Sequence, residues 1–384
     1  MIVLDAAAIP DHESGARTRL RGLLGAYASA AGAPPLVVRL ARGAKLLDGV
    51  LLGSVGIEEV APSGGPLRRA LRRPIGTAAA RAARIWHSET IPPRSPRGVA
   101  ALLTLHDLRW SEPRRVTGAA FGRWVLRHAA ARFWLPGLAR SLAGIVTVSE
   151  ASARQIERRL GVPPARVHVI PNASAYAPPE RLAREQEAAL LGRLGVAAQP
   201  FLLAVGRLEP RKGLELALAA LANGRADGAL SRAKLVLVGS GPADAVLRSL
   251  ARRLAIAGRV VFAGTTGDAE RGSLYARAAA LLLPSRCEGF AFPVHEALAY
   301  GCPVIARDLE ALADLPAGAV ARLPEEVEAW SAALERALAA ASAAHAGARR
   351  PLAVAGAVTW DDAAAALAAL YRTLLLSHRA EGSS

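Results

Sequence analysis

Sulfur and lysine are scarce in this 384-residue chain, which has two cysteines, one methionine and only three lysines, Lys45, Lys212 and Lys234. Two cysteines, Cys287 and Cys302, are too few and too late in the chain for a disulfide framework or a four-ligand zinc site, so cysteine chemistry is not expected. Aromatic residues make up 4% of the chain and do not interleave with basic ones, so nothing supports a single-stranded nucleic-acid surface. No uninterrupted apolar stretch reaches the roughly 18 residues of a membrane span. The amino terminus, Met1-Ile-Val-Leu-Asp5, reads as a strand rather than as a charged region before an apolar signal core. The expectation is a soluble, cytoplasmic protein. No fixed-period repeat is present, and the alanine richness of 337–357 is compositional.

What is there is apolar and basic. At 52% hydrophobic and 21% charged residues, the composition excludes a disordered chain and leaves room for two domains with separate cores. The net charge of +16 is unevenly spread: residues 1–200 hold 28 Lys and Arg against 14 Asp and Glu, and residues 201–384 hold 20 against 18. Two readings of the basic half stay open. One is compositional bias, since Ala and Arg are both abundant; the other is a surface that faces an anionic acceptor or an anionic membrane, with Arg68, Arg69, Arg72 and Arg73 clustered there.

Strand-length apolar runs alternate with helical patterns. Ile2–Leu4, Leu36–Leu40, Ala101–Leu105, Ile145–Val148 and Val167–Ile170 lie in the first half; Phe201–Val205, Leu235–Val238, Val260–Phe262, Ala280–Leu283 and Val304–Ala306 lie in the second. This alternation predicts an α/β protein with two Rossmann-like domains, each a parallel sheet covered by helices on both faces. A break at Ala177-Pro178-Pro179 is followed by a charged helical stretch, and the domain boundary is placed after that stretch. The expected division is 1–195 for the first Rossmann-like domain, 196–358 for the second and 359–384 for a closing helix that crosses back to the first domain.

Open parallel sheets bind ligands beyond the carboxyl ends of their strands, so chemistry is sought there. In Phe201-Leu-Leu-Ala-Val-Gly206-Arg207-Leu-Glu-Pro-Arg-Lys212-Gly, a strand runs through a glycine into a basic loop and then a helix. Arg207 and Lys212 beside a helix amino terminus suit a diphosphate, the first as a fork and the second as a point charge; a solvated basic turn is the bland alternative. In Pro284-Ser-Arg-Cys-Glu288-Gly289-Phe290-Ala291-Phe-Pro293-Val-His-Glu296, two carboxylates eight positions apart flank a helix start. Their oxygens suit sugar or ribose hydroxyl donors, and the amides of Gly289 through Ala291 suit an anion, although a chance pair of surface glutamates is common. His106 ends a strand in Leu102-Leu-Thr-Leu-His106-Asp107-Leu108, and Ser14-Gly15 turns after strand one.

Taken together, these residues resemble glycosyltransferase family 4, retaining nucleotide-sugar enzymes of the two-domain GT-B fold. The resemblance rests on Gly206-Arg207 through Lys212-Gly-Leu, Val238-Gly-Ser-Gly-Pro242, Tyr275, Pro284-Ser285, Glu288-x7-Glu296, Gly301-Cys-Pro303, His106-Asp107-Leu108, Val146-Thr-Val-Ser149-Glu150, Val169-Ile-Pro171-Asn172 and Trp360, all in the expected order. It implies two domains facing across a cleft that is the active site. It further implies that Arg207 and Lys212 bind the donor diphosphate, Glu296 the ribose diol and Glu288 the donor sugar. Gly206, Gly289, Phe290 and Ala291 would sit near phosphate and sugar, His106 would approach the sugar from the other domain, and Gly15 would line the cleft. His106, Arg207, Lys212 and Glu288 are the expected catalytic set.

The subgroup this most resembles includes many mannosyltransferases, so the expected donor is a nucleotide diphosphate sugar with GDP-mannose preferred. The expected acceptor is a glycan or a lipid-linked glycan in polysaccharide or glycoconjugate synthesis. No cofactor and no catalytic metal are expected, since the chain contains no Asp-x-Asp triplet. Expected partners are the donor, the acceptor and an anionic inner membrane face, with no nucleic acid. The rival readings are a same-fold nucleotide-sugar epimerase or hydrolase, and a non-catalytic basic protein that binds nucleic acid or membrane. His295 stands where an aliphatic residue is usual in the family, and Gly15-Ala-Arg17-Thr-Arg19 replaces a glycine-richer turn.

Overall fold

The computed structural model describes residues 1–9, 14–53, 55–61, 77–91, 95–109, 112–114, 121–174, 181–224, 227–343, 352 and 357–381. The arginine cluster Arg68, Arg69, Arg72 and Arg73 lies outside them, as does the Ala177-Pro178-Pro179 break. The chain forms two compact units: Met1–Ser111 with Val125–Ala173 and Val358–Ser384, and Glu112–Trp124 with Ser174–Ala357. The boundary therefore falls some twenty residues earlier than the charged helix suggested. That helix, Arg184–Arg193, belongs to the second unit because Leu190, Leu191 and Val196 pack into the core beside Phe201 and Leu203.

In the first unit, seven strands form one parallel sheet: β1 (Ile2–Asp5), β2 (Leu36–Ala41), β3 (Gly56–Val60), β4 (Ile85–Ser88), β5 (Ala100–Leu105), β6 (Gly144–Thr147) and β7 (Val167–Val169). They are ordered β3-β2-β1-β4-β5-β6-β7. Apolar residues alternate between its faces, so that Ile2 and Leu4 join one core while Val3 packs with Trp86 on the other side. Two of these strands escaped the apolar-run reading. β3 carries Glu58 and Glu59 at the sheet edge, where Glu58 pairs with Arg39 Nε at 2.8 Å. β4, Ile-Trp-His-Ser, is wholly buried despite its two polar residues, and His87 finds hydrogen-bond partners inside the unit.

Helix Gly15–Ser29 follows β1, capped by Ser14, whose Oγ accepts from the Arg17 amide. It packs against the closing helix Trp360–Glu381, whose Ala363, Ala364, Leu367 and Tyr371 are buried with Leu20, Leu23 and Leu24. Gly22 makes that approach feasible: a side chain there would occupy the Trp360 indole. The crossing back of the last helix is thus as expected.

In the second unit, β8 (Phe201–Val205), β9 (Lys234–Val238), β10 (Val260–Gly264), β11 (Ala280–Leu283), β12 (Val304–Arg307) and β13 (Val320–Leu323) form a parallel sheet ordered β10-β9-β8-β11-β12-β13. Its central strands are apolar on both faces. Leu202, Leu235 and Leu282 point into the core under helices Leu214–Ala222 and Val327–Ala343, and Phe201, Val236 and Leu281 into the core under helix Phe292–Ala299. β13 was not legible as a strand, because Val-Ala-Arg-Leu is a short edge segment with two exposed residues.

Candidate functional site

The loops beyond β8, β9 and β11 are built by glycines. Gly206 (φ +133°) donates its N–H to the Val238 carbonyl at 2.9 Å, and a side chain on Gly239 (φ +123°) would run into the Gly206 carbonyl. On the other side, Gly213 (φ +61°) presses against the Pro284 carbonyl, where again a Cβ has no room. The segment Arg207–Lys212 is therefore clamped between the turns that follow β9 and β11. Its last three residues, Pro210–Lys212, form a short 3-10 turn.

The clamp arranges alternating charge. Glu209 bridges two arginines, its Oε1 2.8 Å from Arg207 Nε and its Oε2 2.8 Å from Arg211 Nε. Glu288, in the loop after β11, holds the next two cations: Lys212 Nζ at 2.6 Å and Arg211 Nη1 at 3.3 Å. Burial alone would push the Glu288 carboxyl up, but Lys212 and Arg211 outweigh it and hold the group at about 2. Lys212 and Glu288 are both almost fully enclosed, which strengthens their attraction over that of a surface pair. A pocket at the carboxyl ends of β8 and β11 is lined by Gly206, Arg207, Lys212, Pro284 and Ser285. Arg211 and Glu209 stand in the same loop as Arg207 and Lys212 and were not singled out from the sequence; alternation of sign over Arg207-Leu-Glu-Pro-Arg-Lys212 was the available signal.

Glu296 lies in helix Phe292–Ala299, one turn from its start, and is buried. The Tyr275 hydroxyl donates to Glu296 Oε2 at 2.7 Å, and Arg271 Nε lies 3.3 Å from the same oxygen. Burial and the Glu296 charge raise the Tyr275 hydroxyl well above its ordinary range, so it remains a donor. Tyr275 and Arg271 sit one turn apart on helix Asp268–Arg277, which places both against Glu296. Between Glu288 and Glu296 the chain turns through Ala291, in the left-handed region at φ +62°, and the Phe290 ring stacks on His295 with 4.3 Å between centroids. Burial lowers the His295 imidazole to about 4, so at neutral pH it packs as an uncharged ring.

In the first unit, His106 follows β5 with its side chain 26% exposed, and its Nε2 lies 3.5 Å from Oε2 of the wholly buried Glu89. Glu89 follows β4, the neighbouring strand, which explains the meeting of two residues 17 positions apart. The sequence reading missed Glu89; its position just past a strand end was the signal, hidden because β4 itself was not recognised. Gly15 opens helix Gly15–Ser29 and is exposed. Beyond it, Arg19 is buried, with Nη1 donating to the Ile170 carbonyl and to Asn172 Oδ1, both at 2.8 Å. The structure thus gathers Gly206, Arg207, Lys212, Glu288, Gly289, Phe290, Ala291 and Glu296 beyond the strands of the second sheet, and His106 and Gly15 in the first unit.

Comparisons with known proteins match both units. The profile of the family described as Glycosyltransferase Family 4 matches residues 17–173, and that described as Glycosyl transferases group 1 matches residues 194–347. The MMP alpha-(1->4)-mannosyltransferase of Mycolicibacterium hassiacum is 30% identical over 235 residues, covering 55% of this chain and 52% of that protein. O-antigen chain mannosyltransferase B of Escherichia coli is 30% identical over 230 residues, 57% of each chain. The chain spans about half the length of the curated relatives it matches. Among solved structures, Anabaena HepE in complex with UDP and glucose superposes with a TM-score of 0.65 at 20% identity, over 100% of this chain and 98% of that one. That likeness is one of fold.

Proposed function

Since the chain belongs to the GT-B glycosyltransferases, its first unit in family 4 and its second in group 1, we propose that it transfers a sugar from a nucleotide diphosphate sugar to a glycan or lipid-linked acceptor, with retention of configuration. The observation that carries this reading is the gathering of Arg207, Arg211 and Lys212 on one turn beyond β8, paired with Glu209 of that turn and with Glu288 of the loop after β11. Departure of a nucleoside diphosphate builds negative charge on the phosphate oxygens as the sugar gains oxocarbenium character. Fixed cations there stabilise the transition state more than the ground state. Arg207 and Lys212 take that role, and Glu288 and Glu209 hold them in place before substrate arrives.

Glu296, fixed by Tyr275 and Arg271, offers a carboxylate oxygen to the ribose diol. Glu288 contacts the donor sugar, and His106 offers a ring nitrogen to a sugar hydroxyl. The absence of an Asp-x-Asp triplet supports transfer without a bound metal. The two mannosyltransferase relatives support mannose as the sugar, and with it GDP-mannose as the donor.

The acceptor side carries a reading of its own. In the first unit Leu126 (72% exposed), Phe133 (80%) and Trp134 (47%) crowd one segment around helix Phe121–Ala129, beside the exposed Arg132. Apolar and aromatic side chains next to arginine suit the interface of an anionic membrane, which agrees with the excess of positive charge in residues 1–200. Among the described residues no helix is long and apolar enough to cross a membrane, so the proposed contact is peripheral. The direct test of the proposal is release of nucleotide and labelled product from a panel of nucleotide sugars, with Lys212→Ala as the paired control.

A further inference from the structure

A row of four buried hydrogen-bonding side chains ends at His106, and the direction of every proton in it can be worked out. Thr104 Oγ1 donates to Glu89 Oε1 at 3.0 Å. Its one proton is spent there, so the contact of 2.8 Å with His87 Nε2 must be donated by His87. His87 is buried and neutral at physiological pH, since desolvation lowers it to about 4; with its proton on Nε2, its Nδ1 accepts from the Tyr371 hydroxyl at 2.7 Å. Tyr371 comes from the closing helix and stays protonated, its hydroxyl raised well above the ordinary range by burial. All three donors therefore point the same way: Tyr371 to His87, His87 to Thr104, Thr104 to Glu89.

Glu89 must be ionised to receive them. Burial opposes that, but the hydrogen bond from His106 and the buried guanidinium of Arg19 hold the carboxyl well below its ordinary range. One oxygen is taken by Thr104. The other, Oε2, has no hydrogen bond to any other described group, and neither has His106 Nε2, which stands 3.5 Å away. Two orphaned polar atoms facing each other at that distance satisfy one another only if His106 carries its proton on Nε2.

We propose that Glu89 is the positioning residue of His106: it takes the Nε2 proton, fixes the ring, and leaves Nδ1 as a lone-pair acceptor for a hydroxyl of the sugar. The inference rests on the reading of this chain as a sugar transferase for the identity of the ligand, but not for the tautomer. It also gives the closing helix a part in the site, through Tyr371.

Two measurements on the full chain test it. In the long-range 1H–15N spectrum of protein labelled with 15N-histidine, the His106 signals are identified by their loss in His106→Gln. Neutral His106 is expected as the Nε2–H form. In Glu89→Gln the amide oxygen still accepts from Thr104, the amide nitrogen then faces His106 Nε2, and the proton is expected to move to Nδ1. In the turnover assay, Glu89→Gln is expected to lower kcat at least tenfold with KM for the donor within about twofold, and to have no further effect in a His106→Ala background. An Nδ1–H form in the wild type, an unchanged tautomer in Glu89→Gln, or an equal loss in both backgrounds would overturn the proposal. A wild-type chain that releases no nucleotide from any donor removes the transferase reading, while the spectrum still decides the role of Glu89. The wild-type spectrum needs no variant to fold.

Discussion

Lys212 Nζ lies 2.6 Å from Glu288 Oε1, joining two loops 76 residues apart in the chain at the carboxyl ends of β8 and β11. The pair is nearly enclosed, and Arg211 on the second Glu288 oxygen leaves the site with a net positive charge beside the pocket. A carboxylate so placed does two things: it orients the lysine, and it makes the cation tolerable in a low-dielectric turn until an anionic ligand arrives.

Stability at mildly acid pH follows from that geometry. Glu288 titrates at about 2 in the folded chain against an ordinary value of 4.5, a difference worth about 3 kcal/mol at neutral pH. Because the folded value is the lower one, the contribution is present above pH 4.5 and fades as pH falls from there to about 2. Urea unfolding of the wild type and Glu288→Gln between pH 7 and pH 3 is expected to show a gap that narrows below pH 4.5. A gap independent of pH would contradict the ion-pair account.

The proposed donor contacts are expected to differ in size. Lys212→Ala and Glu296→Ala are each expected to lower turnover well over tenfold, from loss of roughly 2 kcal/mol or more of transition-state contact. Tyr275→Phe removes one donor to Glu296 while Arg271 keeps its hold, so a smaller loss of donor affinity, about three- to tenfold, is expected. Steady-state kinetics on the three variants with one donor separate these sizes.

Backbone strain gives a prediction that needs no substrate. At Gly213 an alanine meets both an unfavourable φ of +61° and the Pro284 carbonyl, so Gly213→Ala is expected to cost more than about 1 kcal/mol. Gly258, with open space around it, is the control, and its alanine variant is expected to stay within about 0.5 kcal/mol of the wild type. Thermal or urea unfolding reads both.

For the membrane contact, sedimentation with vesicles is the measure. Binding to anionic vesicles is expected to exceed binding to neutral ones and to fall when Phe133 and Trp134 are both changed to Ser. Equal binding to both vesicle types, or no change in the double variant, removes the contact.

Much of this was legible in the residues, and the omissions share a physical cause. Ten strands announced themselves because both faces of a parallel sheet are buried, so their sequences are continuous apolar runs. The charged loops beyond β8 and β11 were legible because glycines, a rare lysine and two glutamates fall at strand ends. β4 was hidden because its His87 and Ser88 read as polar, and with it went Glu89 and the row from Tyr371 to His106, whose members come from distant parts of the chain. The charged helix Arg184–Arg193 was assigned to the first domain, yet Leu190 and Leu191 bind it to the second unit. Local pattern reports burial on a neighbouring turn or strand; it does not report a partner brought in from 284 residues away.

The central claim is that the loop from Arg207 to Lys212 holds the diphosphate of a nucleotide sugar. The measurement that tests it most directly is the melting temperature of the wild type and of Lys212→Ala against GDP, UDP and ADP. A nucleotide at 100 times its dissociation constant adds about 2.7 kcal/mol of stability, and the account predicts a clear rise with one of the three that is lost in Lys212→Ala. No rise with any of them, or an equal rise in both proteins, would contradict it.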